Sequence, residues 1–149
     1  MSKVLRDIDA SEILLLGDNF YYDGVTNVSS TRFKDTFDSV YSKDIFGDDI
    51  PFYVIAGNHD HHQNVTAQIL YSDLNSRWNF PDYYYSRNWT WVAADGTERR
   101  AELHLVDTVV LCGQSEIRDE KTGKIVKEVR DRDLTHARAN THTHTHTHP

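Results

Sequence analysis

ILLLGDN, residues 13–19, is a continuous apolar run that ends abruptly in a glycine and two polar side chains. A second stretch of the same design, FYVIAGN at residues 52–58, follows Pro51. Short apolar runs that are closed by turn residues are typical of strands buried on both faces, as in a covered parallel sheet. We therefore predict two buried strands, and their relation to each other decides the fold.

The segment between the two strands predicts an amphipathic helix over residues 29–41. A serine or threonine at its start can cap the helix, and apolar side chains recur at helical spacing. The apolar positions are Phe33, Phe37, Val40 and Tyr41. Strand, helix and strand in this order form a βαβ unit, which is expected to be right-handed with parallel strands.

The rest of the chain adds a further helix and a hairpin. Val65 to Tyr71 predicts a helix with Val65, Ile69 and Leu70 on one side. The Asp95-Gly96 pair, between the tryptophans at 89 and 91 and the apolar run that begins at Leu103, is a strong hairpin signal. We predict an α/β (α+β) fold in which antiparallel strands extend the βαβ start, giving two sheets flanked by helices.

Composition indicates one soluble globular domain. The chain has 149 residues, 38% of them apolar and 26% charged, with a formal net charge of -7. This acidic balance, without a Lys/Arg cluster, argues against a nucleic-acid partner. No stretch approaches the roughly 20 apolar residues of a membrane span.

The amino terminus and the sequons point to different compartments. Residues 1–9 lack the charged and apolar regions of a signal peptide. Three N-glycosylation sequons, at Asn27, Asn64 and Asn88, favour a secreted protein. The single cysteine, Cys112, is either a small buried hydrophobe or half of a disulfide whose partner lies outside this sequence.

Two polar motifs carry the chemistry of the chain. Asp18 and Asn58 follow the two predicted strands, and parallel strands bring their carboxyl ends to one edge of the sheet. A carboxylate can bridge two metal ions and an amide oxygen can bind a divalent one, so the pair is compatible with a dinuclear metal hydrolase. The structural alternative is a turn residue at 18 and a helix cap at 58.

The ordered pair GD and GNHD resembles the signature of the calcineurin-like metallophosphoesterase superfamily. Four longer segments are similar to the small, animal-type purple acid (tartrate-resistant) phosphatases: GDNFYYDGV, IAGNHDHHQNVTAQILYS, SRWNFPDYYY and DTVVLCG. The resemblance covers about residues 5 to 113, with a fainter continuation to Ala139. It implies a partial phosphoesterase domain at 5–139, which is part of a four-layer sandwich, and a disordered Thr/His tail at 140–149.

The resemblance also implies a role for each matching residue. Asp18 would bridge two metal ions, Tyr21 would bind Fe(III) as a phenolate, and Asn58 would bind a second ion, Fe(II) or Zn(II). His59 would act on the substrate as the catalytic residue, and Asp60 would orient His59 from the second shell of the site. The implied activity is that of an acid phosphatase acting on phosphate monoesters, secreted or lysosomal.

Other polar or aromatic residues can be explained by packing or by exposure to solvent. Tyr21 alone is compatible with an aromatic side chain that packs beside its neighbours. His61 and His62 are expected to face solvent rather than bind metal, and Asp107 is expected to be structural.

The chain departs from the family pattern in two places. The family's first Asp-x-Gly strand and its later Gly-His-x-His motif have no counterpart here, since Asp7 and Asp9 are not followed by glycine and no Gly-His pair occurs. The three remaining ligands predict incomplete metal binding and an enzyme that is weak or inactive as this interior fragment. The alternatives are a non-catalytic truncated fragment and a metallophosphoesterase that acts on other phosphate esters; the sequence leaves the oligomeric state open.

Overall fold

A computed structural model describes residues 10–47 and 50–113, together with two short strands further along the chain. Its centre is a parallel sheet of three strands, β1 (Ile13–Leu16), β2 (Phe52–Ile55) and β3 (Trp78–Asn79), in the order β1-β2-β3. Ile13 lies opposite Phe52 and Leu16 lies opposite Ile55, so both strands end at the same edge of the sheet. The predicted parallel pair is confirmed.

Two antiparallel ribbons follow the sheet. The first joins β4 (Tyr84–Val92) to β5 (Glu98–Val106) through the Asp95-Gly96 turn, as the sequence predicted. The second joins β6 (Glu116–Arg118) to β7 (Ile125–Glu128). The mixed α/β fold is thus confirmed. The predicted tail at 140–149 lies outside the described residues, as does most of the segment after Gly113.

The helical segments are short. A π-helix (Phe33–Asp38) and α1 (Lys43–Phe46) connect β1 to β2, α2 (Val65–Leu70) follows β2, and α3 (Thr108–Leu111) follows β5. Asn64 caps α2 by accepting the N–H of Ala67 at 3.1 Å, which satisfies one of the unpaired donors of the first turn.

An aromatic cluster forms the core between the sheet and the helices. Trp78 lies at its centre, with its ring centroid 4.9 Å from that of Phe37 and 5.7 Å from that of Phe20. Its indole N–H donates to the carbonyl of Gln68 at 2.8 Å, so the buried polar atom has a partner. Phe20 is only 1% exposed although it lies two residues after Asp18, and the core therefore reaches directly beneath the polar motif.

Several expectations from the sequence are corrected. β1 is not buried on both faces, because Leu14 and Leu16, on the same face, are 37% and 76% exposed. Val40 is 55% exposed rather than buried, since the helix winds as a π-helix and ends at Asp38. Cys112 is exposed just after α3, so its interpretation as a buried hydrophobe is wrong. The two-residue strand β3 was not predicted from the sequence.

Tyr85 fastens the first ribbon to the sheet. Its hydroxyl donates to the carbonyl of Val54 at 2.7 Å and also lies 3.3 Å from the carbonyl of Asn79. Burial raises the pKa of Tyr85 far above its ordinary value. A phenolate there would lose water and place a negative charge against a carbonyl oxygen.

This shift predicts a loss of stability at alkaline pH. Because the pKa is higher in the folded state, the tyrosine contribution is complete below the unfolded pKa of about 10 and is lost as the pH rises above it. Tyr85→Phe should cost about 1 kcal/mol at neutral pH, through the lost hydrogen bond, and should flatten the decline above pH of about 10. Urea unfolding from neutral to alkaline pH measures both; an equally steep decline in the variant would contradict the assignment.

Candidate metal centre

Two glycines bring the loops after β1 and β2 into contact. Gly17 has φ of +101°, and a Cβ on it would lie 2.9 Å from the Cα of Gly57. A Cβ on Gly57 would lie 2.5 Å from the backbone nitrogen of Asp18. Neither loop has room for a side chain at this point, so the glycines are what allows the backbones to approach so closely.

The contact places Asp18 among groups from both loops. The hydroxyl of Tyr21 donates to Oδ2 of Asp18 at 2.7 Å, and the backbone N–H of His59 donates to Oδ1 at 3.1 Å. The ring centroids of Tyr21 and His59 lie 4.5 Å apart. Three of the predicted site residues therefore meet, although they come from loops that are separated by 41 positions between Asp18 and His59.

These contacts shift the pKa values of both acids. Partial desolvation, the largest influence on Asp18, opposes ionisation, but the Tyr21 hydroxyl and the His59 N–H outweigh it together, and the pKa of Asp18 is lowered. The hydrogen bond to the Asp18 carboxylate, followed by desolvation, raises the pKa of Tyr21. In this arrangement the site contains an ionised carboxylate and a protonated phenol.

Asn58 is exposed and lines the same cleft as Asp18. The cleft has a volume of about 590 Å³, and its walls come from the ends of β1 and β2 on one side and from β5 and α3 on the other. It is apolar near Leu16 and Leu105 and polar at the two loops. Asp18 thus contacts Tyr21 and shares the cleft with Asn58, so it is the common neighbour of the other two residues that the family resemblance suggests as metal ligands.

The ring of His59 is held by a main-chain carbonyl. Its Nδ1 lies 2.7 Å from the oxygen of Tyr22, and because a carbonyl only accepts, Nδ1 carries the proton. His62 makes a similar contact to the same oxygen at 3.1 Å and is half exposed, as expected for a solvent-facing residue. The orientation of His59 therefore depends on the loop after β1.

Asp60 differs from its expected role. Its carboxylate is fully buried and bonds to groups other than the His59 ring. Oδ2 accepts the N–H of Gly57 at 2.9 Å and that of Asn19 at 3.0 Å, while Oδ1 accepts from Phe20 and Gln68. Asp60 ties the two loops together through their backbones, and His59 takes its orientation from Tyr22 instead.

His61 was expected to face solvent and is instead buried. Its side chain is 4% exposed, and its Nε2 lies 2.7 Å from Oδ2 of Asp107, which is 0% exposed. Asp107 also caps α3, because its Oδ1 accepts the N–H groups of Val109 and Val110 at 3.0 Å each. The structural assignment of Asp107 agrees with these bonds, whereas the prediction for His61 was wrong because Tyr83 and Asp107, at the two ends of the hairpin, pack against its ring.

Arg32 was missed by the sequence analysis. Its guanidinium donates to the carbonyls of Tyr21 and Gly24 and lies 3.4 Å from that of Phe20. It thereby holds the loop that carries Tyr21. A lone arginine at the start of a helix gives no sequence signal for this role. Gln68 does give a signal of burial, because it is a polar residue within a mostly apolar helix.

The three sequons lie in different surroundings. Asn88 is exposed on β4 and Asn27 is half-buried in the loop before the π-helix. Asn64 is 2% exposed, and its Nδ2 donates to the carbonyl of Thr26 at 3.3 Å. A glycan on Asn64 would have to replace that hydrogen bond.

The donor chemistry of the site fits a hard metal ion. The Asp18 carboxylate, the Tyr21 phenol and the Asn58 amide offer oxygen atoms, the ligands that trivalent iron and divalent cations favour. Within residues 10–47 and 50–113, no three His, Cys, Asp or Glu side chains converge to hold an ion, so these oxygens supply part of a coordination shell. The same part of the chain contains no helix long and apolar enough to cross a membrane.

Comparison with known proteins finds relatives over most of the chain. The family model described as calcineurin-like phosphoesterase matches residues 1–148. The chain is 45% identical over 115 residues to the tartrate-resistant acid phosphatase type 5 of Oryctolagus cuniculus and 43% identical over 116 residues to that of Mus musculus. These matches cover 77% and 78% of the chain but 34% of each relative, so the chain spans about a third of their length.

A solved structure shares the fold. The structure described as GAP50, the anchor in the inner membrane complex of Plasmodium, superimposes with a TM-score of 0.66 at 24% identity. The superposition covers 74% of this chain and 36% of that one. With the family match over nearly the whole chain, the glycine-linked loops and the oxygen donors have a common explanation: the chain belongs to the calcineurin-like phosphoesterase family.

Proposed function

We propose that this chain carries part of the dinuclear metal site of an acid phosphatase that hydrolyses phosphate monoesters. The observation that supports it best is the meeting of Asp18 and Tyr21, 2.7 Å apart at their oxygens, beside a cleft that Asn58 also lines. Tyr21 is the informative residue, because a phenol that is 55% exposed and bonded to a carboxylate is unnecessary for packing.

Each residue present has a role in this proposal. Asp18 would bridge the two ions, Tyr21 would bind Fe(III), and Asn58 would bind Fe(II) or Zn(II). Bound there, the metal pair would supply positive charge for the phosphate and activate water. Binding as a phenolate would require Tyr21 to lose its hydroxyl proton, which the hydrogen bond to the Asp18 carboxylate retains by raising the pKa of Tyr21; a trivalent ion would supply the charge that favours its release.

His59 would act on the substrate directly. Its Nδ1 proton is committed to the carbonyl of Tyr22, which leaves Nε2 for the substrate. With a second proton on Nε2, in the imidazolium form, the ring would donate to a phosphate oxygen and pass that proton to the leaving alkoxide. The Tyr22 carbonyl fixes the tautomer in the way that a carboxylate does in other histidine sites. Asp60 would contribute only by holding the two loops in place.

Removing the Tyr21 hydroxyl tests the metal site. Added Fe(III) is expected to give a visible tyrosinate-to-iron absorption band with the full chain. Tyr21→Phe should abolish that band, because only the ligating oxygen is lost. Tyr22→Phe is the matched control, since Tyr22 is 77% exposed and adjacent but has no proposed metal role. A band that survives in Tyr21→Phe, or its absence from the unaltered chain, would count against the proposal.

A non-catalytic fragment is the second candidate, and the partial donor set favours it. The described residues hold no cluster of three acidic, histidine or cysteine ligands, and the chain spans about a third of the phosphatases that it resembles. Hydrolysis of p-nitrophenyl phosphate at acid pH with iron added separates the two candidates. A phosphodiester substrate in parallel tests the further alternative of a different phosphate ester.

The proposal extends to the location and the partner of the protein. We infer a secreted or lysosomal location from the family resemblance and from the sequons at Asn27, Asn64 and Asn88. A phosphate monoester is the proposed partner, and the net charge of -7 argues against nucleic acid.

A further inference from the structure

His61 and Asp107 form a buried polar pair beside the proposed site. Their side chains are 4% and 0% exposed, and Nε2 of His61 lies 2.7 Å from Oδ2 of Asp107. The ring of His61 stacks on Tyr83 with 25° between the planes and 6.3 Å between the centroids. Polar groups that are removed from water must be hydrogen-bonded to avoid a large cost, so this contact constrains the geometry strongly.

Asp107 is itself fixed at the end of the hairpin. Its N–H donates to the carbonyl of Tyr83 at 3.0 Å, and its second carboxylate oxygen accepts two N–H groups of α3. If His61 moved, the Asp107 carboxylate could move with it only by breaking these bonds. Asp107, at the end of the hairpin, is therefore a fixed hydrogen-bond partner for His61.

His61 lies in the short 3₁₀ turn Asp60–His62, directly after Asn58 and His59. Asp60 fastens that turn to the loop after β1, and His61 fastens it to the end of β5. The two anchors are consecutive in sequence and bond to different parts of the fold. With one anchor alone the turn can pivot, whereas with both the backbone that precedes it is fixed.

We propose that His61, acting through Asp107, is a positioning residue that fixes the backbone of Asn58 and His59 against the hairpin. What those two residues do with metal and phosphate rests on the proposed function. The positioning itself does not, because it can be measured without metal.

Amide hydrogen exchange on the full chain tests the proposal. His61→Phe keeps a ring against Tyr83 but removes the hydrogen bond, and His61→Gln keeps an N–H donor at nearly the position of Nε2. In His61→Phe the His59 amide, which donates to Asp18, should exchange about tenfold faster while the amides of β2 change by less than about threefold. His61→Gln should restore slow exchange at His59.

Three outcomes would overturn the proposal. Equal acceleration in β2 and at His59 would show that the pair only stabilises the whole fold. Unchanged exchange at His59, or a His61→Gln variant as fast as His61→Phe, would show that the hydrogen bond does not position the turn. If His61→Phe fails to fold, His61→Asn replaces it, since its shorter amide cannot reach Asp107. If the unaltered chain gives no iron band but the His61 variants show the expected exchange rates, the proposed function is contradicted and the positioning role of His61 is not.

Discussion

Asp60→Asn is expected to lower the free energy of unfolding by about 3 kcal/mol or more, although the two side chains have almost the same shape. Both carboxylate oxygens of Asp60 face donors only. Oδ2 accepts from the backbone of Gly57 and Asn19, and Oδ1 accepts from the backbone of Phe20 and the amide of Gln68. An asparagine must turn its NH₂ group toward one of these sets.

Either orientation of the asparagine sets donor against donor inside the fold. The residue is 0% exposed, so water cannot replace the lost partners, and a buried donor without an acceptor costs about 1–3 kcal/mol. The affected bonds join loops whose partners, Asn19 and Asp60, lie 41 positions apart, so their loss should also disorder the proposed site.

Urea unfolding followed by circular dichroism measures this effect. Asp73→Asn is the matched control, because Asp73 is exposed and the same change of charge there should alter stability by less than about 0.5 kcal/mol. Equal effects of the two substitutions would show that the charge, rather than the buried network, determines the result.

Gly57→Ala is expected to be the other strongly disruptive change, with a loss of about 2–3 kcal/mol in the free energy of unfolding. The added Cβ would lie 2.5 Å from the nitrogen of Asp18 and closer still to its carboxylate. Two of the three nearest atoms belong to the Asp18 carboxylate, but the third is a backbone nitrogen that can move only with the loop after β1. The loop would therefore shift away, and the bond from His59 to Asp18 should weaken with it.

Gly47→Ala provides the comparison. Gly47 has φ of +83°, so alanine there is strained, but a Cβ would meet nothing within 4 Å. Strain without collision should cost about 1 kcal/mol. The prediction is a clearly lower urea midpoint for Gly57→Ala than for Gly47→Ala, together with a weaker iron band in the former only; the reverse order would contradict the steric argument.

The parts of this structure that could be predicted depend on local patterns. The runs at 13–16 and 52–55 are apolar and end in glycine, which is sufficient to predict two parallel strands and the edge where Asp18 and Asn58 meet. The hairpin at Asp95-Gly96 was predictable because its turn chemistry is local. The role of Tyr21 came from the family resemblance, since one tyrosine between two aromatic residues gives no signal of its own.

The missed features depend on long-range contacts. Strand β3 has only two residues, Trp78 and Asn79, and forms because Phe52 lies beside Trp78. The burial of His61 depends on Asp107, which is 46 positions away and reaches it only once the hairpin has folded over. Asp60 was assigned to its neighbour His59, whereas four of its hydrogen bonds go to groups 40 or more positions away or to α2.

The contact between Gly17 and Gly57 also favours one alignment of β1 with β2 over the others. Pairing of β1 with β2 sets Leu16 opposite Ile55, and only this alignment brings the two glycines together beyond the strand ends. A slip by one residue would bring the Cβ of Ala56 or Asn58 into a gap that has no room for it. Misaligned pairing is thus penalised at the point where the proposed metal donors Asp18 and Asn58 lie, so the alignment that folds is also the one that places them in one cleft.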